Sequence, residues 1–490
     1  MRARPRSLRA LHVAAELYPW VKTGGLGDVV AALPPALLAQ GVDTRLCLPG
    51  FPAFLDAFHL TDAVRLETPF APERVRVALA TLPGSKIAAY LVDHPPFYDR
   101  PGGPYGAPDG RDWPDNHRRF ALLAWVAAAL GRGADPNWRP DIVHSHDWHA
   151  GLAPAYLAAA RTQDGPAAAS IFTVHNLAYQ GAFAAGVFPE LSLPASFYQL
   201  DGIEFYGGVS FIKAGLFYAD RLTTVSPTYA REIQTPEFGE GLDGLLRQRA
   251  DVLTGILNGV DPRYWDPEHD DAIPQPYGID NAEAGKAAAK QELRRRLRLG
   301  DSAAPVFGVV SRLTPQKGLD LLLDALPDLA GGGQLALLGS GDRPLETGFA
   351  EAAVTHHGAV GVEIGYDEAL ARLVIAGADC MVVPSRFEPC GLTQLYALRY
   401  GTLPLVRRTG GLTDTVVDAT PAHLRDKTAT GFVFDSATPE ALATALGGAT
   451  TLYENRPRWR QMMNEAMTRD FSWAQSARRY ITLYRELLPA

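Results

Sequence analysis

Short apolar runs alternate along this chain with longer segments whose apolar positions recur at helical spacing, the pattern of βα units that build parallel sheets. "LRALHVAA", "DTRLCLP", "DIVHSH", "ASIFTVH" and "DRLTTVS" predict the strands of a first half. The interval from Val75 to Asp93 reads instead as an antiparallel insertion. Leu257 to Pro267, "LNGVDPRYWDP", concentrates Asn-Gly and Asp-Pro turn pairs and marks a domain boundary. After a polar helical stretch, "AEAGKAAAKQELRRRLRLG", a second series follows: "APVFGVVS", "GQLALLGS", "GVEIG", "ADCMVVPS", "GTLPLVR" and "TGFVFD". These are buried parallel-strand patterns. The expected fold class is therefore α/β: two doubly wound, Rossmann-like domains facing across a deep cleft, with ligands at the C-terminal ends of the strands. The expected bounds are 1–257 for the first domain and 258–460 for the second, with a helix over 461–490 packing back on the first.

Composition agrees with that division. A chain of 490 residues exceeds what one hydrophobic core usually supports, and 47% hydrophobic with 20% charged residues is an ordinary globular balance. Lys plus Arg number 46 against 54 Asp plus Glu, a formal charge of -8, which argues against nucleic acid as the main partner. Cys47, Cys380 and Cys390 are odd in number and far apart, so they outline neither a disulfide framework nor a zinc site. A reducing cytoplasm suits them. The basic start "MRARPRSLRALHVAAELYPW" is broken by Glu16 and Pro19 and reads as a first strand, and no apolar stretch is long enough to span a membrane. The oligomeric state is left open.

The chemistry-bearing residues fall at predicted strand ends. In "ELYPWVKTGGLGDVV", Gly24 and Gly25 permit close backbone approach, and a helix starting near Gly27 turns free N–H groups toward an anion. The spacing matches neither a dinucleotide fingerprint nor a Walker loop. The stretch is a plain glycine turn or a phosphate site, and Lys22 with Asp28 beside it favours the phosphate site. In "SRLTPQKGLDLLL", Arg312 and Lys317 share a strand-to-helix loop, where they are either incidental solvated cations or a pair that neutralises a diphosphate. In "PSRFEPCGLTQ", Glu388 is a helix-start carboxylate or an acceptor for neutral hydroxyls, while Gly391 and Thr393 offer N–H and O–H groups to phosphate. His144, His146 and His149 with Asp147 superficially resemble metal-ligand spacing, yet no Glu-x-x-His helix pattern or cysteine partner supports a metal. His175 and Asn176, ending another strand, suit a hydroxyl-rich ligand.

Taken in order from about Leu11 to Phe434, "KTGGLGDV", "YGAPDGRDWPDN", "HSHDWHAGL", "FTVHNLAYQG", "TPEFGEGLDGLL", "LNGVD", "SRLTPQKGLDLL" and "RFEPCGLTQLYALRYGTLPLVRRTGGLTDTV" resemble the bacterial glycogen (starch) synthase family. The resemblance implies a GT-B-type retaining glucosyltransferase of the cytoplasm, moving glucose from ADP-glucose to the 4-hydroxyl at the non-reducing end of an α-1,4-glucan. It places the family's glycine-loop lysine on Lys22 and its acidic helix-start residue on Asp28, with Gly24 and Gly25 between them. The diphosphate cations fall on Arg312 and Lys317. Glu388 takes the place of the glutamate near the glucosyl hydroxyls, followed by Cys390, Gly391, Leu392 and Thr393. His175 matches the histidine beside the glucosyl ring, with Asn176 next to it. Asp147 matches the aspartate of the His-Asp-Trp motif, Asn258 the hinge asparagine, Tyr366 an aromatic stacking on the nucleobase, and Tyr105 an acceptor-side rim tyrosine. The chain departs from the family at Ser145, at Gly27 and at Pro34–Pro35, which are expected to kink the first helix or end it early.

The family is usually assigned a front-face mechanism, in which the leaving diphosphate helps to deprotonate the incoming hydroxyl. No cofactor is implied, and the absence of an Asp-x-Asp triplet leads to an expectation of metal independence. Closure about "LNGVD" is expected to bring the two domains' contacts together. UDP-glucose as donor, a phosphorylase carrying pyridoxal phosphate and a non-catalytic glucan-binding protein are the competing readings.

Overall fold

The computed structural model describes residues 7–163, 165 and 167–488. The basic residues 1–6 and residues 489–490, the end of the expected C-terminal helix, lie outside it. The chain divides into two compact units, Met1–Gly259 with Trp473–Ala490, and Val260–Ser472. The boundary expected before residue 258 thus falls between Gly259 and Val260. The return expected at residue 461 falls instead between Ser472 and Trp473. The reason is burial: the helix Arg456–Thr468 sinks Trp459, Met462, Met463, Ala466 and Met467 into the core of the second unit.

The first unit is built on strands β1 (Arg9–Val13), β2 (Asp43–Pro49), β3 (Leu60–Thr68), β4 (Ala71–Thr81), β5 (Ala88–Asp93), β6 (Ile142–His146) and β7 (Ala169–Val174). Then come β8 (Ala182–Ala184), β9 (Glu204–Phe205), β10 (Gly208–Ser210), β11 (Arg221–Thr224) and β12 (Leu253–Gly255). The main sheet runs β12-β11-β7-β6-β1-β2-β5-β4-β3, and every neighbour from β12 to β5 is parallel. The strand order therefore reverses between β1 and β6, the topological switch point of a doubly wound sheet. The antiparallel insertion begins at Leu60, earlier than expected. β4 pairs antiparallel with both β3 and β5, yet β5 also runs parallel to β2 and so belongs to the main sheet. β8, β10 and β9 make a separate small antiparallel sheet.

The second unit carries β13 (Val306–Leu313), β14 (Gln334–Gly341), β15 (Val360–Ile364), β16 (Cys380–Val383), β17 (Leu403–Arg407) and β18 (Phe432–Phe434). They form one wholly parallel sheet in the order β15-β14-β13-β16-β17-β18, with the switch point between β13 and β16. Strand residues such as Phe307, Val309, Leu337, Met381 and Leu405 are almost fully buried because helices cover both faces. Within that core Lys286 is buried, donating to the carbonyls of Ala376 and Ala378 and to Thr402 Oγ1 at 2.7, 3.0 and 2.5 Å. Burial pushes its ammonium down to about 7.

Pro34 and Pro35 neither end nor shorten the first helix, which runs Gly25–Ala39. Tertiary packing outweighs the local cost. Val29, Leu33 and Leu37 on one face meet the C-terminal helix Trp473–Glu486, whose Trp473, Ala477, Tyr480, Ile481 and Tyr484 form a single apolar stripe. Burying each large side chain contributes about 1.5–3 kcal/mol, against ~3 kcal/mol for an interior proline. Among the described residues no helix is long and apolar enough to cross a membrane. Trp473→Ala should lower stability by about 3–5 kcal/mol, seen as an earlier guanidinium midpoint. An unchanged midpoint would show that the C-terminal helix does not anchor the first helix.

Candidate active site

In the first unit the chain leaves β1 toward Glu16, whose side chain is buried. Its Oε2 accepts from the backbone N–H groups of Thr23 and Gly24 at 2.8 and 3.3 Å. Its Oε1 accepts from the hydroxyls of Thr23 and Tyr105 at 2.5 and 2.6 Å. A carboxylate is tolerated there because donors surround it, and in return it shapes the glycine loop. The helix starts at Gly25 rather than near Gly27, and a Cβ on Gly24 would meet nothing within 4 Å. The loop is open where close backbone approach was expected. Lys22 Nζ sits 2.8 Å from Asp28 Oδ1, so its charge is partly met within the protein. Tyr105 stacks on His149 with ring centroids 4.6 Å apart, and burial raises its phenol well above the usual range, keeping the proton that it donates to Glu16.

Asp147 follows β6 with a left-handed φ of 55°, a conformation uncommon outside glycine, asparagine and aspartate. Its Oδ1 accepts from the backbone N–H of His175 at 2.7 Å and of Asn176 at 3.4 Å, tying the end of β7 to the end of β6. Burial pushes this carboxyl up to about 7, with the two backbone donors opposing and the charge of Glu16 adding. Asn176 Oδ1 closes a turn by accepting from Ala178 N–H at 3.1 Å. His175 is neutral, since burial pushes it down to about 3. Asn258 is buried at the end of the unit and hydrogen-bonds to none of these groups among the described residues.

His12, His144 and His146 place ring nitrogens within 4.8 Å of one another, close enough to share an ion. His149, the third member of the spacing noted in the sequence, is not among them. Every ring nitrogen of the three is already engaged, with one another or with Tyr484, Thr173 and His175.

In the second unit, Arg312 stands on β13 itself rather than on the loop expected, because β13 stays paired with β14 as far as Leu313. It is exposed, and its guanidinium makes no hydrogen bond or ion pair among the described residues. Lys317, by contrast, lies 2.6 Å from Glu388 Oε2, which also accepts from the Ser385 hydroxyl at 2.9 Å. The two groups read from the sequence as separate ligand contacts are therefore one ion pair. Glu388 Oε1 keeps its acceptor capacity, with no partner among the described residues. Lys317, Ser385, Glu388, Gly391, Leu392 and Thr393 line one pocket; Cys390 is buried and does not. Tyr366, 78% exposed beyond the end of edge strand β15, is also outside that pocket.

The turn that carries Glu388 is held from beneath. Gln394 Nε2 donates to the carbonyls of Cys390 and Gly391 at 2.9 and 3.1 Å. Gly410 has φ 45°, and a Cβ on it would stand 2.0 Å from the carbonyl oxygen of Glu388. The Gly411 N–H donates to that same carbonyl at 3.1 Å. Sequence reading passed over Glu16, Ser385, Gln394 and the Gly410–Gly411 pair. Glu16 had a signal, a carboxylate interrupting an apolar run; the others act through hydrogen bonds and close approaches made only in the folded chain, with no sequence pattern of their own.

Residues 9–248 match the family described as starch synthase catalytic domain, and residues 290–466 match glycosyl transferases group 1. The chain is 52% identical to a glycogen synthase of Albidiferax ferrireducens, covering 98% of this chain and 99% of that one. It is 50% identical, with the same coverage, to a glycogen synthase of Francisella tularensis subsp. novicida. Among solved structures, the catalytic domain of starch synthase IV from Arabidopsis thaliana bound to ADP and acarbose superposes with a TM-score of 0.83 at 32% identity, covering 98% of this chain and 99% of that one.

Gly410→Ala should displace the Glu388 backbone and lower kcat by about 10²-fold, the cost of a misplacement near 1 Å, in a protein whose circular dichroism is unchanged. Wild-type turnover in that variant would show the glycine to be incidental. For Asp147, the folded carboxyl titrates near 7 and the unfolded one near 3.8, so between those values only the unfolded chain ionises and stability falls as pH rises. Asp147→Asn suits the same φ and lacks the ionisation. Relative to the parent it should gain about 2–3 kcal/mol between about pH 5 and about pH 8, measured by denaturation at both; a constant difference would refute the buried titration.

Proposed function

The chain belongs to the glycogen synthase family of glycosyltransferases, and from that premise we propose that it moves glucose from ADP-glucose to the non-reducing-end 4-hydroxyl of an α-1,4-glucan with retention of configuration. The observation that carries this reading is Glu388: one oxygen is committed to Lys317 and Ser385, and the other is open beside the turn Gly391–Thr393. A carboxylate so held is a fixed acceptor for sugar hydroxyls. Being paired with a lysine rather than a second carboxylate, it does not form the close pair that retaining glycosidases use.

The roles are those that the resemblance to the family implies, and the chemistry of each group suits them. Arg312, with its donors unspent, and Lys317 stabilise the departing diphosphate. The backbone and hydroxyl of Thr393, with Gly391 and Leu392, face phosphate, Cys390 holds their turn in place, and Tyr366 offers an exposed ring to the nucleobase. In the first unit the loop of Lys22, Gly24, Gly25 and Asp28 takes anionic oxygens. His175 and Asn176, positioned by Asp147, orient the glucosyl ring; Tyr105 belongs to the acceptor side, and Asn258 marks the hinge. The bond from the anomeric carbon to the β-phosphate oxygen breaks, the bond to the acceptor 4-oxygen forms, and the acceptor proton leaves with ADP. The glucosyl group arrives already activated, so no cofactor enters this reading. The three cysteines are buried and form no disulfide among the described residues, which suits a reducing cytoplasm.

Radiolabelled glucose should pass into glycogen from ADP-glucose much faster than from UDP-glucose, equally with and without EDTA. Arg312→Ala should cut kcat by about 10²–10³-fold, the scale of a lost oxyanion donor. Faster transfer from UDP-glucose would overturn the donor assignment, and no transfer from either would overturn the whole reading.

A further inference from the structure

Strand β6 is buried along its whole length, yet its last three residues are His144, Ser145 and His146. Buried ring nitrogens must find partners, and here the partners form a line. His175 Nε2 lies 3.0 Å from His146 Nδ1. His146 Nε2 lies 3.0 Å from His12 Nδ1, and His12 Nε2 lies 3.3 Å from the Tyr484 hydroxyl. That hydroxyl is 2.7 Å from His144 Nδ1, and His144 Nε2 is 2.6 Å from Thr173 Oγ1. Thr173 Oγ1 meets Thr223 Oγ1 at 2.5 Å.

Burial holds the rings neutral: His12 and His175 are pushed down to about 3, His144 and His146 well below their ordinary value. A neutral imidazole carries one N–H and one bare nitrogen, so each ring passes on the direction of donation that it receives. The line has only two polarities, and its far end selects between them. Thr223 is fully buried, and its hydroxyl has no hydrogen-bond partner but Thr173 among the described residues. If Thr173 donated, the Thr223 hydrogen would be buried without an acceptor, the costly kind of orphan. With Thr223 donating, the rest follows. Thr173 donates to His144 Nε2, His144 Nδ1–H to the Tyr484 oxygen, and Tyr484 O–H to His12 Nε2. His12 Nδ1–H then donates to His146 Nε2, and His146 Nδ1–H to His175 Nε2.

We propose that this line fixes His175 as the Nδ1–H tautomer, so that it meets its ligand as a hydrogen-bond donor. Tyr484, far away in sequence on the C-terminal helix, is a positioning residue for it. The donor role toward a glucosyl oxygen rests on the functional reading above; the tautomer does not. His175 Nδ1 is the one ring nitrogen of the line with no partner among the described residues. A tautomer left free would present a donor to the ligand only part of the time.

The test uses the full chain labelled with [15N]histidine. Long-range proton–nitrogen correlation reports which nitrogen of each ring is protonated, and His175→Gln identifies the signals of that ring. The unaltered protein should show His175 protonated at Nδ1. Tyr484→Phe removes only the hydroxyl; its His175 should become a mixture of tautomers, with kcat reduced on the order of 10-fold and KM for ADP-glucose held within about twofold. Ile481→Val trims one methyl from the same buried helix face and should change neither. An unaltered protein protonated at Nε2 overturns the proposal. So does a Tyr484→Phe protein with unmoved His175 signals, or an equal kcat loss in both variants. An Nδ1–H His175 in a protein that transfers no glucose would sink the functional reading alone.

Discussion

The carboxylate of Glu16, 3% exposed, takes four hydrogen bonds: from two backbone N–H groups and the Thr23 hydroxyl of the glycine loop, and from Tyr105. Removing any one of these donors would leave part of a buried charge less well compensated, which costs more than the net worth of the bond. The loop therefore has little freedom. Its shape sets where the helix Gly25–Ala39 begins and where Lys22 and Asp28 meet. The same negative charge reaches Asp147 and adds to the push that holds its carboxyl near neutrality.

The second unit solves the same problem with different residues. Glu388 is compensated by Lys317 and Ser385, and its backbone rests on Gly410 and Gly411, where no Cβ fits. Both units thus place a paired, buried carboxylate next to the switch point of a parallel sheet, where strand ends diverge and leave a crevice. What differs is how much charge remains over. Among the described residues Arg312 keeps its guanidinium unspent, whereas Lys22 shares its ammonium with Asp28.

Much of this was legible in the residues. Strands such as Asp43–Pro49 and Val306–Leu313 announce themselves because a strand buried on both faces must be apolar, and Glu388, His175 and Arg312 stand out because polar groups at such strand ends need a reason. The Lys317–Glu388 pair was not legible, since residues 71 positions apart meet only after β13 and β16 lie side by side. The proline pair misled for a related reason: its cost is local, while the burial that outweighs it comes from a helix more than 400 residues later.

By itself, the sequence determined the α/β class, the two series of strands and the residue types that face ligand, because periodicity and strand-end chemistry are local properties. Only the tertiary structure decided which of those groups are spent on one another. Pairing of Lys317 with Glu388, and the line from Thr223 through Tyr484 to His175, depend on distances between segments remote in the chain. A hydrogen bond is made or lost within a few tenths of an ångström, and only packing of the sheets and helices sets separations that finely.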